Sequence, residues 1–320
     1  MNTPHFSITE TSWHSVTSNE STSLWALVDG VNWPEIQSIL AEEVPPHASL
    51  YTTTDPETKR LGPWLIRVEP NSVIQTLLET RDPNTHAVVF FHSQQGIRQL
   101  RSHFRHYTLL WTPANPAMPE YFRFYDPRVL MDMMSALEEH KLAQFFKGID
   151  TVYLPNSFQI NLPTHVNLLP PSLDNPLLIT EVCLAINVNQ RDIPFTQASQ
   201  SFSVSPIEFQ RFTELLKQRK PHHLAITLYQ SYQDYFPAIR YEVAAKLSCQ
   251  YAPKYQLLSS KEYLLLADCY LWLGQDFPAN SPAAQVLLTE KHSQRFHHLM
   301  KWLEGEKQRI AQSDQHRMLP

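Results

Sequence analysis

The chain has 320 residues, of which 42% are hydrophobic and 11% aromatic, and its formal net charge is −5. This apolar content is enough for a packed core and excludes an intrinsically disordered chain. Acidic and basic residues are mixed without a block of one sign, so neither nucleic acid nor an anionic membrane is indicated as a partner. The length favours about two domains.

Glycine is scarce, with 6 glycines against 25 prolines. Loops that cradle phosphate need glycine, because backbone amides must approach the ligand closely. Neither GxGxxG nor GxxxxGK[ST] is present, which disfavours the nucleotide-binding α/β classes. Three widely spaced cysteines in apolar runs predict buried free thiols in a reducing compartment. We find no signal peptide and no membrane-spanning run, and therefore expect a cytoplasmic protein.

The first half of the chain predicts an α/β domain. Residues 1–22 are polar and are expected to form a mobile leader. From 23 to 155, short apolar runs typical of buried strands alternate with segments of helical periodicity. The strands are expected at 24–28, 64–68 and 87–91, and the helices after Asn32, after Asn71 or Ser72, and at about 94–105 and 128–146.

Two further apolar runs, 107–111 and 121–125, predict a β-hairpin. The loop between them holds Pro113, Pro116 and Pro119. This antiparallel hairpin is expected to make the central sheet mixed.

Prolines recur between 156 and 204, which predicts an elaborated connection with one strand at 177–188. Ser205-Pro206 then begins a helical lobe expected to extend to 311, with a polar tail at 312–320. The predicted fold is an α/β lobe with a mixed sheet and flanking helices, followed by an all-α lobe.

One helix of that second lobe has clear end signals. Ser259 and Glu262 form a capping box before an apolar run, and Gly274 is placed to end the helix.

No catalytic constellation is evident. Fifteen histidines include His103 and His106, three residues apart, and the pairs 222–223 and 297–298. None lies in HExxH or within a complete zinc-ligand spacing, and no GxSxG is present. We therefore expect no catalytic residue, metal or cofactor, and a protein that is not an enzyme. A metal-dependent hydrolase that uses surface histidines remains the alternative.

The densest string is YFRFYDPRVL, residues 121–130. Asp126 is placed to cap a helix with Pro127 at its first position. Forked guanidinium groups near a strand end make good partner-binding groups. The expected partner-binding residues of this string are therefore Tyr121, Arg123, Tyr125 and Arg128.

This string resembles the hallmark of a family long listed as a domain of unknown function and understood as type VI secretion effector chaperones or adaptors (Tap or TEC). Other pieces resemble the family in the same order. Leu24 to Asp29 is similar to its opening "LYALLD", Gly62-Pro63-Trp64-Leu65 to its "GPWL", and 93–105 to its helix ending in "LRxHLR". Residues 142–148 resemble its "FFGP" close but depart from it at Lys147-Gly148-Ile149. The resemblance covers about residues 24–150.

The resemblance implies an adaptor that binds an N-terminal segment of a cognate effector and promotes its loading onto the VgrG or PAAR spike, without catalytic residues and without nucleic-acid or membrane partners. Asp126, Pro127, Gly62, Pro63 and Trp64 are then structural motif residues. A structural component of the secretion baseplate is a second alternative.

Overall fold

The structure, a computed structural model, describes residues 6–17, 22–82, 85–163, 166, 168, 173, 182–188, 201–290 and 292–317. The chain forms two compact units, Met1–Leu216 and Lys217–Pro320. The boundary between the units lies inside the helix Pro206–Tyr232, whereas the sequence predicted that the helical lobe begins at residue 205. The expected order, an α/β lobe followed by helices, is confirmed.

An antiparallel seven-stranded sheet forms the centre of the first unit, in the order β1-β9-β8-β5-β2-β4-β3. Its strands are β1 (Phe6–Ser12), β2 (Ser23–Asp29), β3 (His47–Ser49), β4 (Pro63–Val68), β5 (Val88–Ser93), β8 (Thr151–Pro155) and β9 (Val182–Val188), while β6 (Leu109–Thr112) and β7 (Asn115–Tyr121) form a separate two-stranded sheet. Every neighbouring pair of strands in the central sheet is antiparallel, so this sheet is not mixed as predicted, and the hairpin is not part of it.

Short helices in the described part of the first unit accompany these sheets. They are α1 (Trp13–Thr17), α2 (Ile36–Glu43), α3 (Pro56–Leu61), α4 (Val73–Glu79), α5 (Ile97–Arg105), α6 (Pro127–Ala136) and α7 (Glu139–Phe145). The predicted helix 128–146 is thus two helices, because Leu137 adopts an extended conformation with φ −80° and ψ 154°. Ser72 caps α4 as expected. Asn32 does not cap α2, since its side-chain amide donates to the His86 carbonyl, 3.2 Å away.

Strand β2 organises the core because both of its faces are buried. Trp25 and Leu27 belong to one apolar cluster, which also takes side chains from α5, α6 and α7. Leu24, Ala26 and Val28 belong to a second cluster, with side chains from α2 and α4. Successive side chains of a strand point to opposite faces, so the continuous apolar run of β2 fills both layers.

The predicted mobile leader is wrong for residues 6–17. Strand β1 pairs with β9 from Phe6↔Val188 to Ser12↔Val182, and the side chains of Phe6 and Val16 are buried. An edge strand with one solvent-facing side needs few apolar residues, so its composition resembles that of a disordered segment. Residues 1–5 and 18–21 lie outside the described part of the chain.

The hairpin differs from its prediction in register. Its second strand is 115–121 instead of 121–125, and it contains Pro116 and Pro119, which were expected in the loop. β7 pairs with β6 on one side, and an edge strand tolerates proline because its outer edge needs no amide donor. Residues 122–125 form the turn that leads into α6.

Of the proline-rich connection, the structure describes few residues. The predicted strand is present as β9 at Val182–Val188, and 177–181 lie outside the described residues. Where the chain is described again, the amide of Trp111 donates to the Phe202 carbonyl and that of Val204 to the Trp111 carbonyl, both at 3.0 Å. The far end of the connection is thereby attached to β6.

Helices dominate the remainder of the chain. They are α8 (Pro206–Tyr232), α9 (Ala238–Tyr251), α10 (Ser260–Leu273), α11 (Pro282–Thr289) and α12 (His292–Arg317). The start at Ser205-Pro206 is confirmed, and α8 continues through Pro221. The capping box of Ser259 and Glu262 is confirmed, and Gly274 ends α10 with φ +91°. The predicted tail begins inside α12.

A buried ion pair ties α12 to the start of α10. The guanidinium of Arg295 donates to the Glu262 carboxylate at 3.3 Å and to the Tyr255 carbonyl at 2.6 Å, and both charged side chains are only 6% exposed. The other Glu262 oxygen accepts from the amides of Leu258 and Ser259 at 3.0 and 2.9 Å. Burial raises the pKa of Glu262, but these hydrogen bonds and Arg295 outweigh it and bring that pKa to about 2.

Replacing Glu262 by Gln should lower the unfolding free energy of the helical unit by about 3 kcal/mol, because Arg295 is then left buried without a counter-charge. The ordinary glutamate pKa is 4.5 and the folded value about 2, so this stabilisation is complete above pH 4.5 and is lost as the pH falls towards 2. Urea denaturation between pH 2 and 7 measures both effects.

Glu304→Gln is the matched control, because Glu304 is 59% exposed and pairs with Lys307 at the surface. We expect it to change stability by less than about 0.5 kcal/mol. Equal losses in the two variants would contradict the role of the buried pair.

Candidate partner-binding site

The string 121–130 folds into the end of β7, a turn and the start of α6, and Asp126 organises that turn. Its carboxylate accepts from the amide of Arg128 at 2.9 Å, as a helix cap with Pro127 at the first position. The Arg128 side chain returns to the same carboxylate through Nε at 3.0 Å and Nη2 at 2.7 Å. Burial by itself raises the pKa of Asp126. The contacts with Arg128 lower that pKa by a larger amount, so it lies below its usual value.

Arg128 is therefore engaged inside the fold. Besides holding Asp126, its Nη1 donates to Gln159 at 2.9 Å, beyond the end of β8. Its side chain is 21% exposed. The guanidinium fork predicted to bind a partner joins the turn to the segment after β8.

Arg123 is bound to the central strand. Asp29, the last residue of β2, is fully buried, and its carboxylate accepts from Arg123 Nη2 and from the amide of Val31 at 3.0 Å. Burial raises the pKa of Asp29, and the charge and hydrogen bond of Arg123 oppose that rise. The Arg123 side chain remains 36% exposed, so part of it lies at the surface.

The tyrosines form a series from the surface to the core. Tyr121 is 65% exposed, and its ring centroid lies 5.2 Å from that of Tyr51. The hydroxyl of Tyr51 is hydrogen-bonded to that of Tyr125 at 3.0 Å, and Tyr125 is only 2% exposed. Burial raises the pKa of Tyr125, so this hydroxyl stays protonated. Of the four predicted partner-binding residues, Tyr121 and Arg123 reach the surface, whereas Tyr125 and Arg128 mainly support the turn.

The predicted structural motif Gly62-Pro63-Trp64 places Tyr51 beside the turn. Trp64 pairs with Val28 and with Ser49, so β4 is held between β2 and β3. A Cβ on Gly62 would lie 2.6 Å from the Tyr51 ring, closer than packed atoms approach. Only glycine lets Tyr51 lie against the start of β4 and reach Tyr125.

The hairpin carries three exposed side chains with large apolar parts, here together called the hairpin patch. It consists of Leu109, Met118 and Tyr121, which are 42%, 63% and 65% exposed. Leu109 and Tyr121 are direct cross-strand partners of β6 and β7. The sequence singled out Tyr121 but missed Leu109 and Met118, because Met118 was assigned to a proline-rich loop.

The described residues offer little to metal or thiol chemistry. Among them, no group of three or more His, Cys, Asp or Glu side chains could hold a metal ion. The Nε2 of His103 donates to the Phe145 carbonyl at 2.6 Å, and burial lowers the pKa of His103. Burial raises the pKa of the Cys183 thiol to about 12. No helix in the described part of the chain is both long and apolar enough to cross a membrane.

Replacing Gly62 by Ser should lower the unfolding free energy by about 1–3 kcal/mol, because the added Cβ displaces the Tyr51 ring. Gly96→Ser is the matched control. There the nearest atom to a Cβ is 4.0 Å away, and serine is a favoured residue at the helix cap that Gly96 occupies. Urea denaturation followed by tryptophan fluorescence compares the two. Equal stability would show that Tyr51 adjusts without cost.

Comparison with known proteins is consistent with the string being a family feature. Residues 24–144 match the model of a family described as Domain of unknown function (DUF4123). No curated protein and no solved structure matches the chain. The matched segment runs from β2 into α7 and contains Asp29, Tyr51, Gly62 and the whole of the string 121–130. The part of this chain that is similar to DUF4123 is therefore the part that builds the turn and the hairpin patch.

Proposed function

We propose that the protein is a cytoplasmic, non-enzymatic adaptor that binds one type VI secretion effector and promotes its loading onto the VgrG or PAAR spike. Two findings support the proposal. The family match spans the segment whose motifs resemble those of effector chaperones. Within the described residues, that segment presents exposed apolar side chains without a cluster suited to metal catalysis.

The observation that carries the proposal is the hairpin patch. Large apolar side chains at 42–65% exposure on one hairpin offer surface that a partner can cover. Tyrosine and methionine are also enriched at protein interfaces, where a few such side chains dominate affinity. Arg123 lies two residues from Tyr121, and its side chain is 36% exposed.

The buried contacts below the patch give it a fixed position. β6 and β7 are not part of the central sheet, so the hairpin needs other attachments. The pair of Arg123 with Asp29 joins the end of β7 to β2, and the Tyr121–Tyr51 contact joins it to the segment after β3. A surface that is already ordered loses less conformational entropy on binding, which favours capture of a flexible segment.

In this mechanism, an N-terminal segment of the effector covers the hairpin patch in the producing cell. The apolar residues of this effector segment are then shielded until the effector is transferred to the spike. The adaptor remains behind and is available for another effector molecule.

The double variant Met118→Asp with Tyr121→Ser should weaken effector binding at least tenfold, because a charge and a hydroxyl replace the two most exposed side chains of the patch. Both positions are at the surface, so stability should change by less than about 0.5 kcal/mol each. Titration of purified effector against the full chain measures affinity, and thermal melting measures stability.

Val73→Ser is the control, since Val73 is 53% exposed on α4. It should leave affinity unchanged. Unaltered binding by the double variant would place the effector on another surface.

Deleting the gene should stop export of one effector while secretion of the tube protein continues, because an adaptor serves one client and not the apparatus. The paired measurement is the amount of tube protein and of the toxin encoded beside this gene in the culture supernatant. Loss of both would identify a core component of the apparatus. Normal export of both would refute the adaptor function.

A further inference from the structure

The central sheet ends on one side at β1, and the outer edge of this strand is unpaired. β1 pairs with β9 through all seven of its residues. In the part of the chain that the structure describes, no other strand pairs with β1, and the backbone of residues 7–11 forms hydrogen bonds only to β9. Alternate residues of an edge strand direct their amides and carbonyls away from the sheet. β1 therefore presents a row of unpaired donors and acceptors.

Two other edge strands of this unit are protected. β3 (His47–Ser49) has only three residues and directly follows the two prolines at 45–46. β7 contains Pro116 and Pro119. Short edge strands and prolines keep a sheet edge from pairing with another chain. β1 has neither device, because it is seven residues long, pairs in regular register and contains no proline or lysine.

The single charge of β1 does not guard its outer edge either. Glu10 is the only charged residue of the strand, and its carboxylate accepts a hydrogen bond from the side-chain amide of Asn156 at 3.4 Å. Asn156 directly follows β8, which lies two strands inwards from β1. The Glu10 side chain thus extends across β9 and away from the open edge.

The sequence of β1 is also suited to pairing with itself. In an antiparallel pair of copies centred on Thr9, Ser7 of each copy lies opposite Thr11 of the other, and Thr9 lies opposite its own equivalent. Cross-strand pairs of hydroxyl side chains are stabilising. Glu10 lies opposite Ile8 and not opposite a second Glu10, so no like charges face each other directly.

We propose that the chain forms a two-fold symmetric homodimer in which β1 pairs antiparallel with β1 of a second copy. The two seven-stranded sheets then form one continuous sheet, with Thr9 at the symmetry axis. A two-fold interface uses the same surface on both copies, which this register provides. The pairing adds roughly six to eight backbone hydrogen bonds. Because the interface is small, we expect a dissociation constant on the order of 10 µM.

A second copy fits this edge better than a segment of another protein. An open edge meets other copies of its own chain at the full concentration of the protein. An edge reserved for a different partner therefore needs a feature that opposes self-pairing, and β1 carries none. The hairpin patch, the proposed effector surface, belongs to the separate two-stranded sheet and is not used in this pairing.

The first test compares the native full chain with two variants of Thr9. Sedimentation equilibrium from about 1 to about 300 µM should show the native chain changing reversibly from monomer to dimer. Thr9→Lys should weaken the dimer at least tenfold, because two lysines then face each other and lysine on an edge strand opposes pairing. Thr9→Glu should weaken it in the same way. Thr9 is exposed, so both variants should fold.

An equimolar mixture of the Thr9→Lys and Thr9→Glu chains should restore dimers, because opposite charges then face each other at the axis. This rescue requires that residue 9 of one copy lies opposite residue 9 of the other. Thr54→Lys is the matched control, since it makes the same substitution at an exposed threonine before α3 and should dimerise as the native chain does.

The dimer and the proposed effector surface can be tested separately. The Met118→Asp, Tyr121→Ser variant should dimerise as the native chain does. Thr9→Lys should bind the effector as the native chain does. Thermal melting of each variant shows whether the first unit remains folded.

Three results would overturn the proposal: a native chain that stays monomeric over the whole concentration range, a Thr9→Lys chain that dimerises as tightly as the native chain, or a mixture of the two Thr9 variants that stays monomeric. A monomeric native chain whose effector binding is weakened by Thr9→Lys would instead assign this edge to a strand of the effector.

Discussion

The fully buried carboxylate of Asp29 is the constraint on which the first unit depends. A carboxylate at the end of a central strand is stable only with donors and a counter-charge close by. The amide of Val31 supplies one donor, but the counter-charge comes from Arg123, 94 positions along the chain. Because β7 ends only two residues before Arg123, this ion pair also fixes the position of the end of β7. The hairpin is thereby fixed to β2 although it shares no hydrogen-bonded strand with the central sheet.

Other features of the turn follow from this attachment. With Arg123 held at Asp29, Tyr125 is directed to Tyr51, and Tyr51 can be there only because residue 62 has no Cβ. Asp126 then starts α6 and binds Arg128, which reaches Gln159. Polar residues that resemble a binding motif in the sequence thus form a connected internal network. What they leave at the surface is mostly apolar: the side chains of the hairpin patch.

Local signals in the sequence predicted local structure well. Asp126 with Pro127 and Ser259 with Glu262 are helix starts whose cap and acceptor lie within three residues, so they can be recognised without tertiary information. The apolar runs of β2, β4 and β5 were evident for the same reason. The fold class followed from their alternation with helical segments.

Non-local features could not be predicted in this way. Arg123 and Arg128 meet their partners only in the folded chain, so the sequence favoured a surface role for both. In the structure, Tyr121 and Arg123 are the two predicted partner-binding residues that reach the surface. β1 was missed because its partner is β9, and β7 because prolines usually interrupt strands. Because β7 was missed, the hairpin patch could not be predicted either, since the fold and not the composition decides which side chains are exposed.

The pairing of β1 with β9 also has a consequence for biosynthesis. The first strand leaves the ribosome early, but the strand that covers its edge is encoded about 170 residues later. At translation rates of roughly 5–20 residues per second, β1 waits on the order of 10–35 s for its partner. In the last part of this interval β8 also has an open edge, because β9 lies between β8 and β1. One face of β1, formed by Ser7, Thr9 and Thr11, is polar and is suited to that wait, since it gives a neighbouring nascent chain little apolar surface to bind.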